Sequence, residues 1–251
     1  MPSDEPRLQL DELTFEEARQ MAGAVALLPA GATEAHGPHL PLGTDVVISK
    51  TAALRACRLL RADGIPSVVL PPLAYAVTEF AAGFDGTLSI PIETARALVR
   101  DVVLATHRAG FAGVVICNAH LEPGNLQALR EGLDEALAKG AKGVFPDVTR
   151  KPHALRLGDE FKSGACHAGR YETSLVLAAD PFLVRRDVQA ELAPNPSSLS
   201  VAIREGKQSF EDAGGPQAYF GWPADATAAE GDALYGELAD IFAEAARSLV
   251  G

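Results

Sequence analysis

Short apolar runs alternate along the chain with longer stretches whose apolar residues recur at helical spacing. Residues 24–29 (AVALLP), 67–70 (SVVL, closed by Pro71 and Pro72), 113–117 (GVVIC) and 143–148 predict four strands. Between them the pattern predicts helices over 46–63, 93–109 and 124–138. In the first, Leu54, Cys57 and Leu60 are among the apolar positions and Gly64 marks the stop; Gly110 ends the second, and Gly140 follows the third. Residues 171–179 read as a helix or a late strand ended by Asp180-Pro181, and a last helix covers 230–249. Strands separated by helices imply parallel β-α-β units. The expected fold is therefore α/β: a single compact domain, residues 1–251, with a mainly parallel sheet flanked by helices on both faces. Residues 183–217 are rich in Pro, Ser and charge and contain no clear strand. They read as a surface excursion, a lid or an oligomer contact, rather than a second domain. No internal repeat or low-complexity tract is present. In such folds ligands bind at the carboxyl ends of the strands, so site residues should follow strands.

Charge narrows the partners. The chain has 22 basic and 33 acidic residues, a net of −11, which leaves no broad footprint for nucleic acid or an anionic membrane surface. No apolar run reaches the roughly 18 residues of a membrane span. The first residues, MPSDEPRLQLDEL, are polar and acidic, unlike a secretory leader. Three cysteines do not make a disulfide framework, so a reducing, cytoplasmic setting is expected.

Candidate chemistry concentrates in three stretches that leave apolar segments or sit beside glycines. The first, residues 31–45 (GATEAHGPHLPLGTD), carries Glu34 and His36 two positions apart, which face one side if the backbone is extended. It ends with Asp45 at the start of the first long helix. The second, residues 118–125 (NAHLEPGN), repeats the spacing with His120 and Glu122. The third, residues 164–174 (GACHAGRYETS), places His167 and Glu172 on one short turn. Four of the six histidines (His36, His39, His120 and His167) fall in these loops. Imidazoles mixed with carboxylates suit zinc, manganese or iron. Five or six ligands exceed the needs of one tetrahedral ion, whereas two ions about 3.5 Å apart, sharing a carboxylate, account for them.

Plainer roles exist for each residue. Glu34 or Asp45 alone could cap a helix or a turn, and His36 or His120 could be ordinary hydrogen-bonded histidines. His39, between Pro38 and Pro41, suits packing or support of a ligand better than ligation. Asn118 and Asn125 suit loop shaping, and Gly31, Gly37 and Gly43 a tight backbone path. Cys57 and Cys117 read as core. Cys166, beside His167, raises a cysteine-nucleophile reading, although side chains adjacent in sequence rarely face each other well.

The run GATEAHGPHLPLGTD resembles the first motif of the creatininase (creatinine amidohydrolase) family. Asn118-Ala119-His120 with Glu122 resembles the second motif, and HAGRYETS the third. GTLSI (86–90) and GWPADATAAEG (221–231) are similar to further landmarks, so the resemblance runs from about residue 24 to 235. It implies a dinuclear metal amidohydrolase, usually a homohexamer, holding two divalent ions per chain: zinc paired with zinc, manganese or iron. By resemblance Glu34 and His120 bind one ion, His36 and Glu122 the other, and Asp45 bridges them. His167 matches a histidine that assists proton transfer, and with Glu122 it forms the expected catalytic pair. Glu172 matches a glutamate that completes the metal shell in members whose second motif lacks a carboxylate. Glu122 is thus read as a ligand, and Glu172 as a ligand or a residue behind one.

The chain also departs from the pattern. Ala119 stands where a glycine is usual, Pro123 follows Glu122, and the one tryptophan, Trp222, lies far from the segment before the third motif, where members that open creatinine carry tryptophans. These departures argue against creatinine. Residues 148–162 instead offer Arg150, Lys151, His153, Arg156 and Lys162, a basic lip suited to an acidic or polar amide. The expected activity is hydrolysis of a non-peptide C–N bond in a small cyclic amide or formamide by metal-activated water. The alternatives are a metal-bearing binding or scaffold protein without turnover, and a cysteine hydrolase using Cys166.

Overall fold

In the computed structural model, which describes residues 7–250, four parallel strands form one sheet. They are β1 (Val25–Ala30), β2 (Ser67–Val69), β3 (Gly113–Asn118) and β4 (Gly143–Val144), in the spatial order β2-β1-β3-β4. The α-helices among the described residues are α1 (Phe15–Arg19), α2 (Thr44–Ala62), α3 (Ile92–Arg108), α4 (Pro123–Leu137), α5 (Gly158–Ser163), α6 (Arg170–Ala179), α7 (Arg186–Ala190), α8 (Leu199–Arg204) and α9 (Ala228–Arg247). None is long and apolar enough to cross a membrane.

The two central strands are buried along their whole length, which is why they read as unbroken apolar runs. Their side chains still alternate between two cores. Val25, Leu27, Val115 and Cys117 face one core, against Ala52, Ala56 and Leu60 of α2, Leu175 of α6, and Leu238 and Phe242 of α9. Ala26, Leu28, Val114 and Ile116 face the other, against Val99 and Val103 of α3 and Leu129 and Leu133 of α4. The sheet is thus covered on both faces, as the alternation of strands and helices predicts.

Three local features refine the sequence reading. The fourth strand stops at Val144, where Pro146 lacks an N–H for the ladder. Asp147 then turns the chain by accepting from the Thr149 backbone N–H and hydroxyl. Residues 171–179 lie in a helix, not a strand. The Glu160 carboxylate accepts from the backbone N–H groups of Arg170 and Tyr171 at 2.9 and 2.6 Å and satisfies donors of that helix's first turn. Residues 183–217, read as a surface excursion without a clear strand, carry the short helices α7 and α8, and Asn195 forms an isolated antiparallel bridge to Gly221.

Candidate metal centre

β1 and β3 stay in register to their last residues, Ala30 and Asn118. The segments that follow leave the sheet side by side at its carboxyl end, so residues far apart in sequence start from one point. Gly31 makes the first close approach. A Cβ there would lie 2.7 Å from both the backbone carbon and the Cβ of Asp45, so only glycine lets the start of α2 rest against the strand end. Asp45 is buried in the first turn of α2, and its Oδ2 accepts from the Ala32 N–H at 3.2 Å.

On the second loop, side chains fix the backbone of His120. Asn118 Nδ2 and Asn125 Nδ2 donate to the His120 carbonyl at 2.7 and 2.9 Å, and Asn118 Oδ1 accepts from the His120 N–H at 3.3 Å. His120 Nε2 lies 2.8 Å from the Val77 carbonyl, where only an N–H can bond. That contact turns the Nδ1 lone pair inward, 3.2 Å from both Glu34 Oε1 and Asp45 Oδ2. His36 is set in the same way: Nδ1 rests 3.2 Å from the Glu34 carbonyl. Its Nε2 points inward, 3.2 Å from Asp45 Oδ1, 3.5 Å from Glu172 Oε2 and 3.7 Å from Glu34 Oε1. An outward N–H held on a carbonyl, with the other nitrogen bare, is how metal-binding imidazoles are oriented.

The donor atoms fall into overlapping groups. Glu34, His120 and Glu122 form one, and His36, Asp45 and Glu172 another, with His167 also beside Glu34 and His36. All six expected ligands therefore converge. The grouping differs from the one implied by resemblance: Glu122 sits with Glu34 and His120, and Glu172 rather than Glu122 joins His36. Asp45 presents one oxygen to each imidazole and so stands between the groups. The carboxylates are held from behind. Thr78 donates its hydroxyl to Glu34, the Glu79 and Phe80 N–H groups donate to Glu122 at 3.0 and 3.2 Å, and the Ala168 N–H donates to Glu172 at 2.6 Å.

Four carboxylates and two imidazoles share this site, and among the described residues no lysine or arginine pairs with any of them. Without added cations, protons must supply the missing charge. Burial pulls the His36 imidazole down, but Asp45, Glu172 and Glu34 outweigh it and push it up to about 10. His120 is likewise raised against burial by Glu34 and Asp45. Burial raises Glu172 to about 8 and Glu122 to about 6. Asp45 is held well below the usual range, because its two imidazole neighbours overcome its own burial. His36 Nε2 is moreover buried without a hydrogen-bond partner. Two divalent cations would balance four carboxylates, and the nitrogen and oxygen donors suit zinc, manganese or iron. The residues fit such ions.

His167 stands over the centre. Its Nε2 lies 3.0 Å from the Ala35 carbonyl and its Nδ1 3.9 Å from Glu34 Oε1. Its ring lies between those of His36 and Phe210, with centroids 4.5 and 4.2 Å away. Burial and the His36 charge lower it to about 4, which leaves a neutral ring with a bare Nδ1. His39 is buried elsewhere, with Nε2 paired to Thr173 Oγ1 at 2.8 Å, in keeping with packing rather than ligation. Cys166 borders the same space, but burial, with Glu172 and Glu160 adding, pushes its thiol well above the usual range. A nucleophilic cysteine needs the opposite shift.

The centre forms the floor of a cavity of about 570 Å³, with Phe80, Leu155, Phe161, Leu199, Ile203 and Phe210 among its walls. The basic lip is smaller than the sequence suggests. Arg150 pairs with Asp147, and Arg156 is taken up by Glu237 and Glu244 of α9. His153 lines a separate groove. Lys151 and Lys162 do border the cavity, joined by Arg204 of α8. Nothing in the sequence pattern points to Thr78, to the Val77 carbonyl, or to Phe210 stacking on His167. Each lies far along the chain from its partner and belongs to no recognisable pattern.

A family model described as creatininase (creatinine amidohydrolase) matches residues 11–246. A mycofactocin precursor peptide peptidase of Mycobacterium ulcerans is 32% identical over 219 residues, covering 85% of this chain and 81% of that protein. The creatinine amidohydrolase of Pseudomonas putida is 32% identical over 199 residues, covering 70% and 73%. Among solved structures, a mutant creatininase complexed with creatine superposes with a TM-score of 0.77 at 25% identity, covering 97% of this chain and 98% of that one.

Proposed function

The chain belongs to the creatininase family of hydrolases acting on C–N bonds, and from that premise we propose that it opens a small cyclic amide or formamide at a centre of two divalent ions. The observation that carries this reading is Asp45, one oxygen of which faces His36 while the other faces His120. A carboxylate so placed is what two neighbouring cations would share. Glu34, His120 and Glu122 would hold one ion, and His36 and Glu172 the other. Such ions make water a nucleophile at neutral pH and polarise a carbonyl oxygen.

The chain's own groups supply the remaining steps. The apolar walls seat the substrate and keep bulk water from the reacting carbonyl. His167, neutral and with Nδ1 bare, takes a proton as water attacks and returns it to the leaving nitrogen. Its Nε2–H stays on the Ala35 carbonyl, which keeps the acceptor aimed inward, and Phe210 stops the ring from tipping. Of the named relatives, one acts on creatinine and one on a precursor peptide. Creatinine suits this chain poorly. Trp222 packs against the apolar cluster that includes Phe210 and Phe220 and is not among the cavity's lining residues, and a ring so small would leave much of about 570 Å³ unfilled.

The test is a panel of lactams, hydantoins, cyclic ureas and formamides offered to metal-replete protein. Hydrolysis of at least one class is expected, lost on chelation, restored by zinc or manganese, and indifferent to iodoacetamide. Metal-replete, folded protein that turns over none of them would overturn the reading.

A further inference from the structure

The cavity separates its charges. Its acidic lining residues are Glu34, Asp45, Glu122 and Glu172, and all four belong to the donor groups on the floor. Every other charged lining residue apart from the histidines is a cation: Lys151, Lys162 and Arg204. In a chain with 33 acidic and 22 basic residues, chance would favour acids on these walls. Lys162 is tied to Asp159 at 2.7 Å. Lys151 and Arg204 have no acidic partner among the described residues, and they reach the cavity from separate segments, the turn before α5 and the end of α8. Leu155 and Ile203, near them in sequence, also line the cavity and supply apolar surface.

Building on the amidohydrolase reading, we propose that the substrate is an anionic amide, carrying a carboxylate away from the scissile bond, and that Lys151 and Arg204 hold that carboxylate. With the floor neutralised by its ions, the walls leave a net positive field inside an acidic protein. A field of that kind draws anions in and favours them over neutral analogues of the same shape. The apolar residues that line the same cavity, Leu155 and Ile203 among them, would take a hydrocarbon side chain, so an N-formyl or N-acyl amino acid with an apolar side chain has the required chemistry and charge.

The matched probes are N-formyl-L-leucine and its methyl ester, which differ in the negative charge. Binding is measured by calorimetry on the full chain, both metal-replete and with the ions chelated, so that attraction to the ions is separated from attraction to the walls. At low salt the acid should bind metal-replete protein at least tenfold more tightly than the ester. In Lys151→Met/Arg204→Met that preference should vanish, with metal content and melting temperature unchanged. In Arg204→Glu, where the new carboxylate offsets Lys151, it should likewise be lost. Equal binding of acid and ester by the unaltered protein, or a preference that survives in the double variant, would overturn the proposal. Because binding is the readout, the answer stands even if no amide is turned over, and failure of the hydrolysis panel remains a separate result.

Discussion

His36 and His120 each give one ring nitrogen to a backbone carbonyl and turn the other toward buried carboxylates. This arrangement would make the two imidazoles ligands where cations are bound and proton stores where they are not. His120→Ala should therefore abolish tight metal uptake and turnover together, measured by metal analysis after dialysis and by the hydrolysis assay. His167→Ala should keep its metal and lose turnover by about 10²–10⁴-fold. The raised His36 value sets a pH dependence for the metal-free protein. A group whose folded pKa lies above its unfolded value of about 6.5 contributes stability that is complete below that pH. The contribution falls away as pH rises through about 10. Thermal unfolding of chelated protein should accordingly worsen between pH 7 and 10 more steeply than that of metal-replete protein, in which cations replace the protons. At this scale, the residues that meet in the centre were legible because they recur at short spacing beside glycines. Their supports were not. Val77 acts through its carbonyl, which every residue has, and Thr78 and Phe210 act across long sequence separations. The basic lip was legible as composition but not as pairing, since the acids that claim Arg156 lie on α9.

Close backbone approaches decide which elements can meet. Gly31 lets the end of β1 touch the start of α2, and Gly231 lets α9 touch α6, where a Cβ would sit 1.8 Å from the Ser174 carbonyl oxygen. Overpacking of this kind typically costs about 1–3 kcal/mol. Gly31→Ala should lower stability by about that amount and also weaken metal binding, because it displaces Asp45. Gly231→Ala should destabilise at least as much, because the clash is with backbone, and should disturb Glu172 through α6. Denaturant titration with parallel metal titration checks both. The strands and long helices were legible from periodicity, since β1 and β3 are buried on both faces and α3 and α4 bury one face each. Residues 171–179 were open between helix and strand, because the apolar run at their end, 175–179 (LVLAA), fits either form. The decision is made by Glu160, a carboxylate ten residues upstream that caps the helix.

Across the whole molecule the centre joins three chain segments that the sheet alone does not hold together: residues 31–45, 118–122 and 167–172. Cations shared among them would bind the folded chain and not the unfolded one, and so stabilise it by mass action, by about 2.7 kcal/mol at a hundredfold excess over the dissociation constant. The measurement that tests the two-ion centre most directly is the metal content of the folded protein. Purified chain, stripped with chelator and dialysed against zinc or manganese, should take up close to two ions, and Asp45→Asn should bind both weakly. A folded chain that takes up one ion, or none, would contradict the centre described here.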